Sequence, residues 1–363
     1  SKEFVNIMEN ARLLAIELLG LNSEEYTSLF LQGGASMQFL MVAYNFLEKK
    51  ASYIDTGAWS TKAIKEAKLF GEVDILASSK DRNFNYIPKN YDIPTESDYL
   101  HITTNNTIFG TQFSGAPETN CHVFADMSSD IFSRNIDYSK FSLIYAGAQK
   151  NIGPAGTTLV VIKRSLLDNI CREVPSMLNY KIHNDKDSMF NTPPVFAVYA
   201  CMLSMEWLKS NGGISEIEKI NRIKAQKIYD EIDRNAMFKG FAAVEDRSIM
   251  NVTFNLVDES TKEVFDKMVN DKNISGINGH RSVGGYRASI YNALSLESVE
   301  TLVNVMNNFE KTFNMKILAN DGISQSGVEA LEKGGFEIIT TNVAQDQLEN
   351  YINENNIVGL LVR

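Results

Sequence analysis

Between residues 28 and 163 the chain alternates short apolar runs with segments of helical spacing, and this alternation constrains the fold more than any other feature. The first instance is the clearest. Ser28-Leu-Phe-Leu-Gln32 is an apolar run, Gly33-Gly34-Ala35-Ser36 is a turn, and an apolar helix is expected from Met37 to about Lys50. Residues 51–55 and 72–77, Tyr99–Thr103, His122–Ala125, Phe141–Ala146 and Thr158–Lys163 read as further strands. An amphipathic helix over 60–70 is expected to open at Ser60 as its cap. Strands that alternate with helices need crossover connections, which run the strands parallel and cover the sheet on both faces. An α/β core with a large, mainly parallel sheet is therefore expected, preceded by an amphipathic helix over residues 1–20.

Beyond the core, residues 165–180 read as helical or irregular. A long apolar helix over about 195–210 ends at Gly212-Gly213, and a charged helix follows over 214–234. From about residue 238 the pattern turns to strands (Ile249–Leu256, Tyr286–Ile290) with helices at 260–270 and 295–312, a smaller α+β domain. Residues 315–363 read as βαβαβ, with strands Met315–Asn320, Phe336–Thr341 and Val358–Val362 and helices Ser326–Lys333 and Gln345–Glu354. That piece is too short for a self-sufficient core and is expected to be the head of a larger domain. The expected division is 1–235, 236–314 and 315–363.

Composition narrows the function classes. A net charge of -10 gives no basic surface for nucleic acid. No apolar run approaches the ~18 residues of a membrane-spanning helix, and residues 1–20 do not read as a secretory signal. Cys121, Cys171 and Cys201 are far apart and lack zinc spacing, so buried thiols in a reducing cytoplasm are expected, with no metal. A local cationic pocket would still suit a small anion.

Several residues could carry chemistry. Lys150 follows an apolar strand, among small residues (Tyr145-Ala-Gly-Ala-Gln-Lys150-Asn-Ile-Gly). Poor hydration lowers an amine's pKa and suits it to Schiff-base chemistry; a lysine snorkelling at a strand end is the competing reading. Asp126 ends the strand His122-Val-Phe-Ala-Asp126, where α/β sheets bind ligands, although it could instead cap a turn. The Gly33–Ser36 turn could hold a phosphate at a helix start or simply connect two elements. Trp59 could stack on a flat ring or pack in the core, and Thr107 could serve a ligand or the local turn. Arg281 and Arg287, in Gly279-His280-Arg281-Ser-Val-Gly-Gly285-Tyr-Arg287, could grip two anionic groups or be solvated on the surface.

Taken together and in this order, these residues resemble the phosphoserine aminotransferase family, class-V aminotransferases among the fold-type-I pyridoxal-phosphate enzymes. The match runs over about residues 1–313 through Phe30-Leu-Gln-Gly-Gly-Ala-Ser-Met-Gln-Phe39, Thr56-Gly-Ala-Trp59, Ala125-Asp-Met-Ser-Ser129, Ala148-Gln-Lys-Asn151, Phe190-Asn-Thr-Pro-Pro194 and the Gly279–Gly285 stretch with Arg287-Ala-Ser. The resemblance implies pyridoxal 5'-phosphate held covalently by Lys150, which would also shuttle a proton. Asp126 would pair with the pyridine nitrogen and Trp59 would stack on the ring. Ala35, Ser36 and Gln149 would hold the phosphate, and Thr107 would contact the ring oxygen or phosphate. Asn191 and Thr192 would reach the partner subunit's cofactor, in a homodimer with shared sites. Arg287 would take the substrate α-carboxylate, and His280 and Arg281 the phosphate of phosphoserine or the distal carboxylate of glutamate.

The implied reaction, in cytoplasmic serine biosynthesis, converts 3-phosphohydroxypyruvate and glutamate to phosphoserine and 2-oxoglutarate. A phosphorylated hydroxythreonine of pyridoxine biosynthesis is a further implied substrate. The family also has an N-terminal segment with an Asn-Ala-Gly-Pro loop and a His-Arg pair. The sequence starts at Ser1 without that segment, so a truncated, inactive form is the alternative expectation. A cysteine desulfurase-like lyase is another alternative; it would need a mobile nucleophilic Cys. Residues 315–363 resemble the first βαβαβ of D-3-phosphoglycerate dehydrogenase without its nucleotide-binding fingerprint.

Overall fold

The computed structural model describes residues 1–362 except Ser282, Asn314, Gly335 and Asn356. Ser282 of the basic glycine-flanked stretch, the domain limit at Asn314 and the expected end of the tail at Arg363 lie outside the described residues. Chain contacts divide the protein into two compact units.

The first unit, Ser1–Tyr229 with Gly240–Asn255 and Gly276–Val299, contains the sheet expected from the sequence. Its strands are β1 (Tyr26–Leu31), β2 (Lys50–Asp55), β3 (Glu72–Ser78), β4 (Leu100–Thr103), the short pair β5 (Asn105–Asn106) and β6 (Thr111–Gln112), β7 (Val123–Asp126), β8 (Leu143–Gly147) and β9 (Thr158–Lys163). Seven of them form one sheet in the order β1-β9-β8-β7-β4-β2-β3. Only β9 runs against its neighbours. The register sets Thr103 beside Asp126 and Asp126 beside Tyr145, so β4, β7 and β8 end together.

Helices cover both faces, as near-continuous apolar parallel strands require. On one face α1 (Lys2–Leu18) and α6 (Val195–Ser210) pack Met8, Ala11, Ala15, Val198, Cys201 and Met205 over the sheet. On the other, α2 (Gly34–Phe46) and α3 (Ala58–Ala67) bury Phe39, Val42, Ala63 and Ile64 against Tyr53, Phe124 and Tyr145. Short helices α4 (Arg164–Leu167) and α5 (Tyr180–Asp185) precede α6, and α7 (Gly213–Arg234) follows it. Strand β11 (Asn251–Leu256), through Phe254, pairs antiparallel with β12 (Tyr286–Ser289).

Three local expectations are corrected and one element is added. The helix after the glycine turn ends at Phe46 rather than Lys50, because β2 already begins at Lys50. Ser60 lies in the first turn of α3, not at its cap: its Oγ accepts the N–H groups of Thr56 and Gly57 and donates to Asp55. The β5–β6 pair was not foreseen. Cys171 is only half-buried, unlike Cys121 and Cys201.

Gly110 closes the β5–β6 turn at φ +73°, and a Cβ there would stand 2.4 Å from Thr253 Oγ1 and 2.8 Å from the Asn251 carbonyl oxygen. Both the left-handed backbone and the clash penalise a side chain. Gly110→Ala is expected to cost roughly 2–4 kcal/mol, read as a fall in the urea midpoint at unchanged slope.

The second unit comprises Asp230–Lys239, Leu256–Ser275 and Glu300–Arg363. It takes the last turn of α7, most of β10 (Phe238–Gly240), α8 (Lys262–Asp271) and most of α9 (Leu296–Phe313). Phe238, Phe265 and Phe309 form an aromatic cluster with ring centroids 5.0–5.6 Å apart. The tail has the expected βαβαβ order: β13 (Met315–Ala319), α10 (Gln325–Lys333), β14 (Phe336–Ile339), α11 (Leu348–Glu354) and β15 (Ile357–Leu361), in a parallel sheet β14-β13-β15. Its buried apolar core is small, with Leu318, Val343 and Ile357 at the centre.

Candidate active site

The common end of β4, β7 and β8 opens into a cavity of about 160 Å³. It brings together seven residues chosen from the sequence: Ala35, Ser36, Trp59, Thr107, Asp126, Gln149 and Lys150. Topology explains the convergence. Each residue follows, or ends, a strand of the same sheet, and parallel strands deliver their C-terminal ends to one edge.

Lys150 Nζ donates to Thr107 Oγ1 at 2.8 Å. Its pKa is lowered, first by poor hydration, partly restored by Asp126, and lowered again by the Arg287 charge. Asp126 is 5% exposed, and burial raises its carboxyl pKa. The opposing influence is Ser128, whose N–H and Oγ donate to Asp126 Oδ1 at 2.9 and 2.6 Å. The arrangement therefore pairs an amine that readily becomes neutral with a dry carboxylate aimed into the same cavity.

Gly33 and Gly34 both adopt positive φ, +93° and +68°, which turns β1 sharply into α2. No side chain caps α2, and its first turn carries no acidic residue. Its leading N–H groups and the Ser36 hydroxyl are therefore available to an anion, with the helix dipole in support. Trp59 is half-buried, with Lys62 Nζ 4.3 Å from its ring centroid, and its Nε1 is buried without a partner among the described residues.

The remaining expected residues do not line this cavity. Asn191 and Thr192 are exposed; Asn191 Nδ2 donates to Gln32 Oε1, and Gln32 Nε2 donates to the Thr192 carbonyl, which ties the segment beside the glycine turn. His280 and Arg281 are exposed on the turn before β12. Arg287 lies on β12, half-buried, with Nε buried and unpartnered among the described residues.

Sequence reasoning missed Phe39, Thr103, Asn105, Ser128 and Ser129 in the lining. One signal was present: Asp-Met-Ser is an Asx-turn pattern, in which an aspartate accepts the N–H two residues on. Asn105 left no such signal, because its partners Ser129, Ser248 and Asn251 come from distant segments.

No cysteine lines the cavity. Cys121 Sγ donates to the Ser97 carbonyl, and burial pushes the Cys201 thiol up to about 12. The mobile thiolate of a desulfurase is thus not found at this site. Among the described residues no cluster of His, Cys, Asp and Glu could hold a metal ion, and no helix is long and apolar enough to cross a membrane.

Comparison with known proteins agrees with this chemistry. The aminotransferase class-V family profile matches residues 1–302. The phosphoserine aminotransferase of Flavobacterium psychrophilum is 60% identical over 312 residues, covering 85% of this chain and 88% of the relative. That of Flavobacterium johnsoniae is 59% identical with the same coverage. The solved phosphoserine aminotransferase from Bacillus circulans subsp. alkalophilus superposes with a TM-score of 0.83 at 41% identity, over 86% of this chain and 88% of its own. The pyridoxal-phosphate-bound enzyme from Trichomonas vaginalis gives 0.79 at 31%, over 85% and 89%. With the family profile spanning most of its length and these relatives covering the cavity and the sheet that builds it, the chain belongs to the class-V aminotransferase family.

Proposed function

We propose that this chain transfers the amino group of glutamate to 3-phosphohydroxypyruvate, giving phosphoserine and 2-oxoglutarate, as in serine biosynthesis. The fold is that of the fold-type-I pyridoxal-phosphate enzymes and the cofactor is pyridoxal 5'-phosphate. The observation that carries the reading is the meeting of Lys150 and the buried Asp126 in one cavity beside an uncapped helix start.

The residues present fit the cofactor. The α2 N–H groups and Ser36 suit a phosphate, the Trp59 indole in the lining suits a flat ring by its face and a polar group by its unpartnered Nε1–H, and the Asp126 carboxylate suits a protonated ring nitrogen. Bound there, the cofactor supplies an electron sink for the electrons of the broken Cα–H bond. Asp126 keeps a proton on the ring nitrogen. Lys150 Nζ would hold the cofactor before substrate arrives, then take the Cα proton and deliver it to the cofactor carbon that the amine had held, the reverse transfer serving the second half-reaction. Thr107 Oγ1 fixes where that amine points. Arg287, His280 and Arg281 receive the anionic ends of both amino acids, and Gln149 joins Ala35 and Ser36 at the phosphate.

We further place the chain in the cytoplasm as a homodimer whose Asn191 and Thr192 serve the partner's site, with the division at 235 and 314.

The test is direct. Borohydride treatment with pyridoxal 5'-phosphate is expected to leave one phosphopyridoxyl group, on Lys150, by peptide mass. Glutamate plus 3-phosphohydroxypyruvate is expected to yield phosphoserine. Label on other lysines alone would overturn the assignment.

A further inference from the structure

Lys224, on α7, is fully buried at 0% exposure, and among the described residues no carboxylate is its partner. Its Nζ donates to three backbone carbonyls, those of Ile290 at 3.0 Å, Tyr291 at 2.9 Å and Leu294 at 3.1 Å. An ammonium has three protons, so every donor is used. Burying an uncompensated cation is costly, and three convergent carbonyl dipoles are what offset the lost water here. Burial alone pushes this amine down to about 8. The lysine acts on the chain as a bound cation would, drawing the carbonyls of the β12-to-α9 connection around one point.

That connection leads to Lys150 by two routes. The Tyr291 hydroxyl accepts from Asn251 Nδ2 at 3.2 Å, and Asn251 Oδ1 accepts at 2.8 Å from Nδ2 of Asn105, two residues before Thr107, the acceptor of Lys150 Nζ. The Asn292 N–H donates to Oδ1 of Asn151, the residue that follows Lys150, at 3.0 Å. The Asn292 side chain is itself fixed: Nδ2 donates to the Phe132 carbonyl, and Oδ1 accepts from Asn221 Nδ2, one turn before Lys224 on α7.

We infer that Lys224 is a positioning residue for Lys150: by gathering the carbonyls of Ile290, Tyr291 and Leu294 it holds Tyr291 against Asn251 and Asn292 against Asn151. The inference rests on the proposed role of Lys150.

Lys224→Met keeps the apolar stem and removes the three donors. Glutamate half-reaction rates are expected to fall about tenfold or more, with half-saturation by glutamate changed less than about threefold, since misplacing a reacting group costs rate rather than binding. A second readout needs no cofactor. The pH midpoint for modification of Lys150 by a small amine-reactive reagent, followed by peptide mass, is expected to move up toward an ordinary lysine as the site loosens and hydrates. A folded Lys224→Met chain with the wild-type rate and midpoint would overturn the inference, as would a lower melting temperature with both unchanged. Should Lys224→Met not fold, Asn292→Ala, which frees the same connection from its other side, must slow the half-reaction and shift the midpoint in the same directions; no change would overturn it. A wild-type chain that takes no cofactor on Lys150 overturns the proposed function instead.

Discussion

Lys150→Met is expected to abolish turnover, by at least ~10⁴-fold, and to leave no lysine at the site that borohydride can fix to the cofactor. The magnitude follows from two losses at one atom. Nζ is the only amine among the residues that line the cavity, so covalent attachment goes. It is also the base next to Thr107, so the proton transfer at Cα loses its carrier, a contribution of ~10²–10⁴ by itself. The substitution should not harm the fold. Poor hydration already lowers the pKa of this amine, so its charged form is disfavoured in the folded state, and a methionine of similar length removes that penalty. An inactive chain with an unchanged or higher melting temperature at pH 7 is the expected pair of results. A variant with turnover within about tenfold of wild type would remove Lys150 from the chemistry. Lys150→Ala, which does leave an alkylamine-sized gap, is expected to regain part of its rate with methylamine as proton carrier, measured as rate against amine concentration.

Much of this site was legible in the sequence because strand ends announce themselves. An apolar run that stops at Asp126, and another that leads into Gln149-Lys150, put both groups at the same edge of any parallel sheet, whatever the exact strand order. Gly33-Gly34 carried its own mechanism, since two successive positive φ angles are rarely tolerated by other residues. Ser60 was harder. Its Oγ serves three partners, Thr56, Gly57 and Asp55, and a cap reading captured only the idea that a short hydroxyl belongs at a helix start. The two-residue strands β5 and β6 are shorter than any periodicity can register, yet they present Thr107 to Lys150. The Lys224 cage was invisible for a different reason. A lysine in a charged helix reads as a solvated side chain, and nothing local reveals that three carbonyls more than sixty residues later replace the water. Grouping of residues 240–255 and 276–299 with the sheet unit likewise depends on contacts far apart in sequence.

Asp126→Asn should separate catalysis from stability most sharply. Ser128 N–H and Oγ both donate to Oδ1, and an asparagine oxygen can accept the same two bonds, so the local turn survives. What disappears is the negative charge that keeps the ring nitrogen protonated. Rates are expected to fall roughly 100- to 1000-fold, the usual cost of deleting one preorganised electrostatic group. Stability of the cofactor-free chain should move the other way. Burial raises the Asp126 pKa above its ordinary 3.8, so the folded state favours the protonated acid. Its contribution to stability is fully present below the unfolded pKa and is lost as pH rises through the folded pKa. Above its raised pKa, wild type therefore holds the ionised carboxylate at a cost that Asn does not carry. The cofactor-free variant is expected to melt at the wild-type temperature or higher at pH 7.5, and the difference should vanish below about pH 4, where both side chains are neutral. Adding pyridoxal 5'-phosphate should reverse the order, because the carboxylate meets its cation only in the loaded site and binding raises the melting temperature in proportion to affinity. Equal rates for the two chains, or a variant that melts lower at pH 7.5 without cofactor, would show that Asp126 is held for the fold and not for the ring nitrogen.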